Sequence, residues 1–153
     1  MLATKMGDCF IDFPEQIIEG INTTIKLIND YKDYDDAHHS NWSFLLFPIF
    51  TSLEGIMKLS LEELGIEIKR NFFCFYKENK KYRLNNYIKS NDLNKSKYIE
   101  ICYNIYVNHR HKYFHYQKDN LFFEKLKITK KSSAILIFNR IYTSMKKLGG
   151  CNE

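Results

Sequence analysis

The amino-acid sequence predicts a mainly α-helical protein that forms a single domain over residues 1–153. Only 6 residues are Gly and 2 are Pro, which disfavours turn-rich β folds. Apolar residues also recur at intervals of three and four along four segments, the period of an amphipathic helix. We therefore expect an antiparallel bundle of four to five helices, with an irregular or short β insertion around residues 66–93.

The first predicted helix begins near Asp12 and Pro14, because an acidic residue and a proline both suit a first turn. It ends before the acidic linker at residues 33–36. Its apolar stripe is Ile17, Ile18, Ile21, Ile25 and Ile28.

The second predicted helix has a candidate N-cap at Ser40 or Asn41 and a candidate end at Gly65. Pro48 lies within the pattern, so the helix either begins near this proline or kinks there. The apolar stripe is Leu45, Leu46, Ile49, Leu53, Ile56, Met57, Leu61 and Leu64.

The insertion combines a β-prone apolar run at residues 72–76 with a basic polar turn at residues 77–83. A third helix is predicted over residues 95–114, with Ile99, Tyr103, Tyr106, Arg110 and Tyr113 on one face. A fourth is predicted over residues 131–148, capped by Ser132 or Thr129 and ended by Gly149 and Gly150. Its core face is Ile135, Phe138, Ile141, Tyr142, Met145 and Leu148.

The four cysteines are scattered along the chain, and no apolar run approaches the ~20 residues that span a bilayer. We expect free thiols in a reducing cytoplasm and no membrane association. The cysteines are Cys9, Cys74, Cys102 and Cys151.

Charge is distributed unevenly along the chain. Residues 1–65 hold 4 Lys and Arg against 11 Asp and Glu, whereas residues 66–153 hold 19 against 7. A basic surface that binds phosphates is one interpretation, and mutual cancellation of the two halves on folding is the other.

The strongest chemical signal lies between Tyr106 and Lys118, where basic, amide and aromatic side chains alternate without an acidic residue. Cations beside aromatic rings suit a polyanion with stackable bases, that is, RNA. Within this segment, Arg110 is followed by four residues and then His115.

This spacing resembles the R-x4–6-H motif of the HEPN superfamily, small helical bundles that include metal-independent endoribonucleases of toxin–antitoxin and phage-defence systems. The motif also falls at the end of the penultimate helix, as in that family. Together with residues 53–55 and 72–75, the pattern is most similar to the C-terminal HEPN domain of RnlA/LsoA-type toxins. The resemblance implies a HEPN-like domain, no cofactor and no metal, a homodimer, and an inhibitory antitoxin protein as partner.

The two motif residues have the chemistry that RNA cleavage needs. A histidine with a pKa near ~6.5 can take the proton from a 2′-hydroxyl as that oxygen attacks phosphorus. A guanidinium can clamp the charge that develops on the phosphorane. The products would be a 2′,3′-cyclic phosphate and a 5′-hydroxyl.

Five residues at ~100° each separate Arg110 and His115 by about 140° on an ideal helix. The pair therefore requires a helix that ends or distorts between them, or two chains that bring their motifs together. The resemblance implies the second arrangement.

Glu54 is a third candidate catalytic residue, because some HEPN enzymes orient their site with an acidic residue on an earlier helix. The alternative is a surface pair with Lys58 at i, i+4. Candidate RNA-binding residues are Asn108, His111, Lys112, Tyr116, Lys81 and Arg83.

Other interpretations stay open. Arg110 and His115 can simply stabilise a helix end, and the basic residues at 77–83 can be a solvated loop. His111 and His115 have the i, i+4 spacing of metal ligands but no acidic or thiol ligand beside them. The alternative function is a non-catalytic helical module that binds a partner protein or nucleic acid.

Overall fold

The computed structural model describes Phe10, residues 12–68, residues 72–114 (with side chains up to 110) and residues 127–151. Within these ranges it confirms a mainly helical fold with a short β insertion. The long helices are α1 (Glu15–Asp30), α2 (Phe47–Glu63), α4 (Leu93–Phe114) and α5 (Lys131–Leu148). The insertion contains β1 (Phe75–Glu78), β2 (Lys81–Leu84) and the short α3 (Asn86–Lys89).

Helix α2 is the central element and contacts α1, α4 and α5. The apolar stripe predicted for the second helix is buried. The stripe predicted for the first helix is also buried, except for Ile18, which is partly exposed. Gly20 allows α1 to approach α2 closely, since a Cβ there would lie 2.0 Å from the Ser52 hydroxyl oxygen. That hydroxyl donates to the Ile17 carbonyl at 2.7 Å. The two helices are therefore held together by both backbone proximity and a buried hydrogen bond.

Pro48 lies in the first turn of α2, so the helix begins near the proline and does not kink there. A 3-10 turn, Ser43–Leu46, precedes it, and the Asn41 side chain accepts from the Ser43 amide. Gly65 adopts φ +85 at the other end, and the Ile66 amide donates back to the Leu61 carbonyl. This geometry is a left-handed glycine stop, as the sequence predicted.

The span Ser43–Glu63 is long and apolar enough, by length and composition, to cross a bilayer. The expectation that no apolar run approaches that length is therefore wrong. The reason is that this helix lies at the centre of the bundle, where 56% of its most apolar 18-residue stretch is buried by the other elements. A core helix packed on several sides is apolar over most of its surface.

The insertion forms a two-stranded antiparallel hairpin in which Phe75 pairs with Leu84 and Glu78 with Lys81. Asn79 and Lys80 both have positive φ, the conformation of a two-residue type I′ turn. The predicted basic turn at residues 77–83 is therefore mostly strand, with only these two residues in the turn. The hairpin contacts α4 through β2.

Helix α5 has the predicted bounds, but neither Ser132 nor Thr129 caps it. Lys130 is the N-cap residue and makes no side-chain capping bond. The Asp36 carboxylate instead accepts from the Lys131 amide at 2.8 Å. This cap comes from 95 residues earlier in the chain, a distance over which local patterns carry no information.

The cysteines differ from the expectation of four free thiols. Cys74 and Cys102 are free and buried, whereas Cys151 is disulfide-bonded. The sequence could not indicate this bond, because spacing along a chain does not tell which cysteines meet after folding. Burial raises the pKa of Cys74 to about 11 and that of Cys102 to about 12, so both stay protonated at neutral pH.

Candidate functional site

The motif arginine lies beside an acidic residue from another helix. Arg110 Nη2 on α4 is 3.9 Å from Glu54 Oε2 on α2. The Tyr106 hydroxyl, one helical turn before Arg110, donates to the same carboxylate oxygen at 2.8 Å. The arginine's Cζ also lies over the Tyr106 ring, 5.0 Å from its centroid. Glu54, Tyr106 and Arg110 thus form one contact network, which we call the Glu54 network.

Lys58 completes this network from within α2. Its ammonium donates to Glu54 Oε1 at 2.8 Å, so each oxygen of the carboxylate has a donor. The predicted i, i+4 pair of Glu54 with Lys58 is present, and the same carboxylate also approaches Arg110. The side chains of Lys58, Glu54 and Arg110 are 29%, 25% and 32% exposed, which leaves the site open to a ligand.

The electrostatics favour an ionised Glu54. Burial by itself would raise the pKa of this carboxyl. The hydrogen bonds from Lys58 and Tyr106, with the charges of Lys58 and Arg110, outweigh that effect and hold the pKa below its ordinary value. Burial and the same hydrogen bond raise the pKa of Tyr106, so its hydroxyl remains a donor.

Aromatic rings fix this network from the hairpin side. Phe72 packs edge-on against Tyr106 at 5.9 Å, and Phe75 stacks on Tyr103 at 3.8 Å. The Lys58 ammonium lies 5.9 Å from the Phe72 ring centroid. The apolar run at the start of the insertion therefore packs around the site that contains Arg110.

The opposite face of α4 borders a second feature, a groove of about 320 Å³ between β2, α4 and α5. We call it the basic groove. It is lined by Lys81, Tyr82, Arg83, Lys97, Glu100, Ile101, Asn104, Asn108 and Arg140. Three predicted RNA-binding residues, Asn108, Lys81 and Arg83, therefore come together here and not around Arg110.

The remaining predicted residues have less structural detail. His111 and Lys112 lie on α4, but their side chains are outside the described part, and His115 and Tyr116 lie outside the described residues altogether. Helix α4 runs without a break from Arg110 to Phe114. Among the described residues, no group of three or more His, Cys, Asp and Glu is arranged to hold a metal ion.

Several residues at the two sites were not predicted to have a role there. Tyr106 was assigned only to a core face, although its spacing of four from Arg110 indicates that their side chains meet. Lys97 and Arg140 carried no signal, because their proximity depends on how α4 packs against α5. Glu100 is buried and binds Arg83 and Leu84 of the hairpin. These partners precede it by 17 and 16 positions, too far for a local sequence pattern to indicate the contact.

The fold and these sites define a small, mainly helical domain with a basic groove and an arginine–carboxylate network. Comparison with known families gives a more specific assignment. The family model described as "RNase LS, bacterial toxin DBD domain" matches residues 17–117, more than half of the chain. The chain therefore belongs to this bacterial toxin family. No curated protein matches it.

Proposed function

We propose that this domain is a HEPN-type endoribonuclease of a toxin–antitoxin or phage-defence system. The observation that carries the proposal is the Glu54 network, in which a carboxylate from an earlier helix lies beside the motif arginine, within a chain of an RNase LS toxin family. Arg110 and Glu54 are 56 residues apart, and the ionised carboxylate beside the partly exposed guanidinium would hold it in the fixed orientation that a catalytic clamp needs.

In the proposed reaction, His115 removes the proton from a ribose 2′-hydroxyl, and that oxygen forms a bond to the adjacent phosphorus. The bond from phosphorus to the 5′-oxygen then breaks, and a protonated imidazole supplies the proton to this leaving group. Arg110 stabilises the added negative charge of the phosphorane through its forked donors. Glu54 is a positioning residue, because it acts through Arg110 and Tyr106 and not on the RNA.

The proposed site is formed by two chains. The unbroken helix through Phe114 supports this arrangement, since an ideal helix would separate the two motif residues by about 140°. A second copy would supply the facing motif, including the histidine that protonates the leaving group. An inhibitory antitoxin protein is the expected partner, because uncontrolled RNA cleavage would harm the host, and the cytoplasm is the expected compartment.

The direct test is cleavage of a labelled single-stranded RNA in the presence of EDTA. We expect wild-type protein to yield a 2′,3′-cyclic phosphate, and Arg110→Ala and His115→Ala each to lower kcat by at least about 10²-fold. Lys147→Ala and His38→Ala, which change exposed residues outside both sites, should cleave at the wild-type rate. Cleavage that EDTA abolishes, or that survives both motif substitutions, would contradict the mechanism.

A second candidate function is a non-catalytic module that binds a partner protein or nucleic acid. It is favoured by the contacts that Arg110 already makes with Tyr106 and Glu54, which by themselves could be structural. In that case expression of wild type and His115→Ala would affect cell growth equally. Arg110→Ala would then weaken complex formation while cellular RNA stayed intact.

A further inference from the structure

The basic groove contains more positive charge than its own acidic residues neutralise. Lys81, Lys97 and Arg140 form no ion pair with any acidic side chain in the described ranges. Arg83 lies 3.4 Å from Glu100 and 3.8 Å from Glu78 and is therefore already paired. Among the described residues that line the groove, Glu100 is the acidic one, and it also accepts from Lys89 at 3.1 Å. Three cations thus face the same concave surface without a partner of opposite charge there.

The groove is also held in shape by the backbone of β2. The Asn104 side chain accepts from the Tyr82 amide at 2.9 Å and donates to the Tyr82 carbonyl at 2.8 Å. One turn earlier on α4, Glu100 accepts from the Leu84 amide at 3.0 Å. Glu100 and Asn104 are four residues apart on the helix, a rise of ~6 Å, and their partners Leu84 and Tyr82 are two residues apart on the strand, a span of ~6.6 Å. The two spacings match, so both side chains can bind the strand backbone at once. A ligand would therefore meet a wall that is already ordered.

The groove is separate from the Glu54 network. Lys97, Ile101, Asn104 and Asn108 follow one another at intervals of three and four and form one stripe along α4. Arg110 is displaced from Asn108 by about 200° around the helix axis, so it projects from the opposite side. A polyanion bound in the groove would not occupy the position of the scissile phosphate beside Arg110.

The chemistry of the groove selects its ligand. Several cations from different elements on one concave surface match the repeated phosphates of a strand. Asn108 is exposed in the groove and provides both a donor and an acceptor. Ile101, 39% exposed, provides an apolar surface for a sugar or a base.

We infer that the basic groove binds the phosphodiester backbone of a nucleic-acid strand, through Lys81, Lys97 and Arg140, at a position separate from the cleavage site. The role of this contact as a substrate exosite rests on the proposed function; the binding itself does not. Because phosphates carry no sequence information, the groove should bind RNA and DNA strands of the same length alike.

The experiment measures fluorescence anisotropy of the 153-residue chain with a labelled all-2′-deoxy strand, which cannot be cut by 2′-hydroxyl attack. Lys97→Gln/Arg140→Gln should weaken binding about 10- to 30-fold at ~0.1 M salt. It should also make the slope of log K against log salt concentration shallower by ~1.4, the amount for two phosphate contacts on a single strand. The matched control is Lys26→Gln/Lys147→Gln, which removes the same net charge from exposed positions outside the groove and should keep the wild-type slope. A labelled RNA strand, tested with the His115→Ala background to prevent cleavage, should give the same ranking.

Equal affinities and slopes for the groove variant and the control would overturn the inference, and so would binding of an acidic protein but not of either strand. The result is distinguishable from failure of the proposed function. If binding depends on the groove but wild-type protein does not cleave RNA, the inference about the groove stands and the proposed enzymatic function is rejected. If cleavage depends on Arg110 and His115 but binding does not depend on the groove, the proposed function stands and the inference about the groove is rejected.

Discussion

At the scale of single residues, Glu54 has the most informative surroundings. Lys58 and Tyr106 donate to its two oxygens, and Arg110 approaches one of them at 3.9 Å. A buried charge without donors would be costly, whereas this one is satisfied by groups from two helices. The same contacts that stabilise the fold therefore fix the orientation of the motif arginine.

The lowered pKa of Glu54 predicts a specific dependence of stability on pH. The group contributes stability above the unfolded pKa of ~4.3, and that contribution is lost as the pH falls through the lower folded pKa. Glu54→Gln should cost about 1–3 kcal/mol of unfolding free energy at pH 7 and less at pH 3. Urea denaturation at both pH values checks this, with Glu62→Gln, on the exposed side of α2, as the control. An equal loss at both pH values would show that the charge is not the stabilising feature.

At the scale of elements, two close contacts determine how the helices and the hairpin pack. One is the approach of α1 to α2 at Gly20, and the other is the attachment of β2 to α4 by Asn104. Both place backbone atoms of one element in direct contact with another. We therefore expect a larger side chain at Gly20, or an apolar side chain at Asn104, to lower the stability of the protein.

Gly20→Ala should destabilise the protein even though alanine is the better helix former by about 1 kcal/mol. Its Cβ would lie 2.6 Å from the Pro48 carbonyl oxygen, a backbone atom that cannot rotate away. We expect a net loss of about 1–3 kcal/mol in the free energy of unfolding, measured by chemical denaturation. Thr23→Ala, on the exposed side of the same helix, should be neutral or stabilising. A gain in stability for Gly20→Ala would mean that α1 and α2 are farther apart than described.

Asn104→Ala should loosen the hairpin from α4. The substitution removes two hydrogen bonds to Tyr82 and one to the Glu100 carbonyl, at a cost of about 1–3 kcal/mol. Amide hydrogen exchange should accelerate in β1 and β2 more than in α1. Asn108→Ala, one turn later on the same stripe, is the control, because the Asn108 side chain makes no hydrogen bond to the described residues. Unchanged exchange in the hairpin would refute the proposed attachment.

At the scale of the whole molecule, the two faces of α4 have different proposed tasks. One presents Arg110 beside Glu54, and the other forms the basic groove with β2 and α5. The acidic first part of the chain supplies Glu54, and the basic second part supplies Arg110 and all the groove cations. Folding thus places a carboxylate between two cations at the first site and gathers mostly cations at the second.

If the active site requires two chains, specific cleavage activity should fall when the protein is diluted below its dimer dissociation constant. Sedimentation velocity over the same concentrations should show the change from dimer to monomer. A monomer at every concentration, with constant activity per chain, would contradict the two-chain site. A monomer could use Arg110 and His115 together only if the helix ended between these two residues.

The four long helices could be predicted from the sequence, because hydrophobic period and the stop at Gly65 are local properties. The sequence also identified Glu54, Arg110, Asn108, Lys81 and Arg83 as notable residues. The approach of Glu54 to Arg110 was expected only from the family resemblance, and the grouping of Asn108, Lys81 and Arg83 on the far side of α4 followed only from tertiary packing. Tertiary structure also decided that Asp36 caps α5 and that Lys97 and Arg140 share a groove. The physical reason is that a sequence reveals which face of a helix is apolar, but not which partner that face will meet.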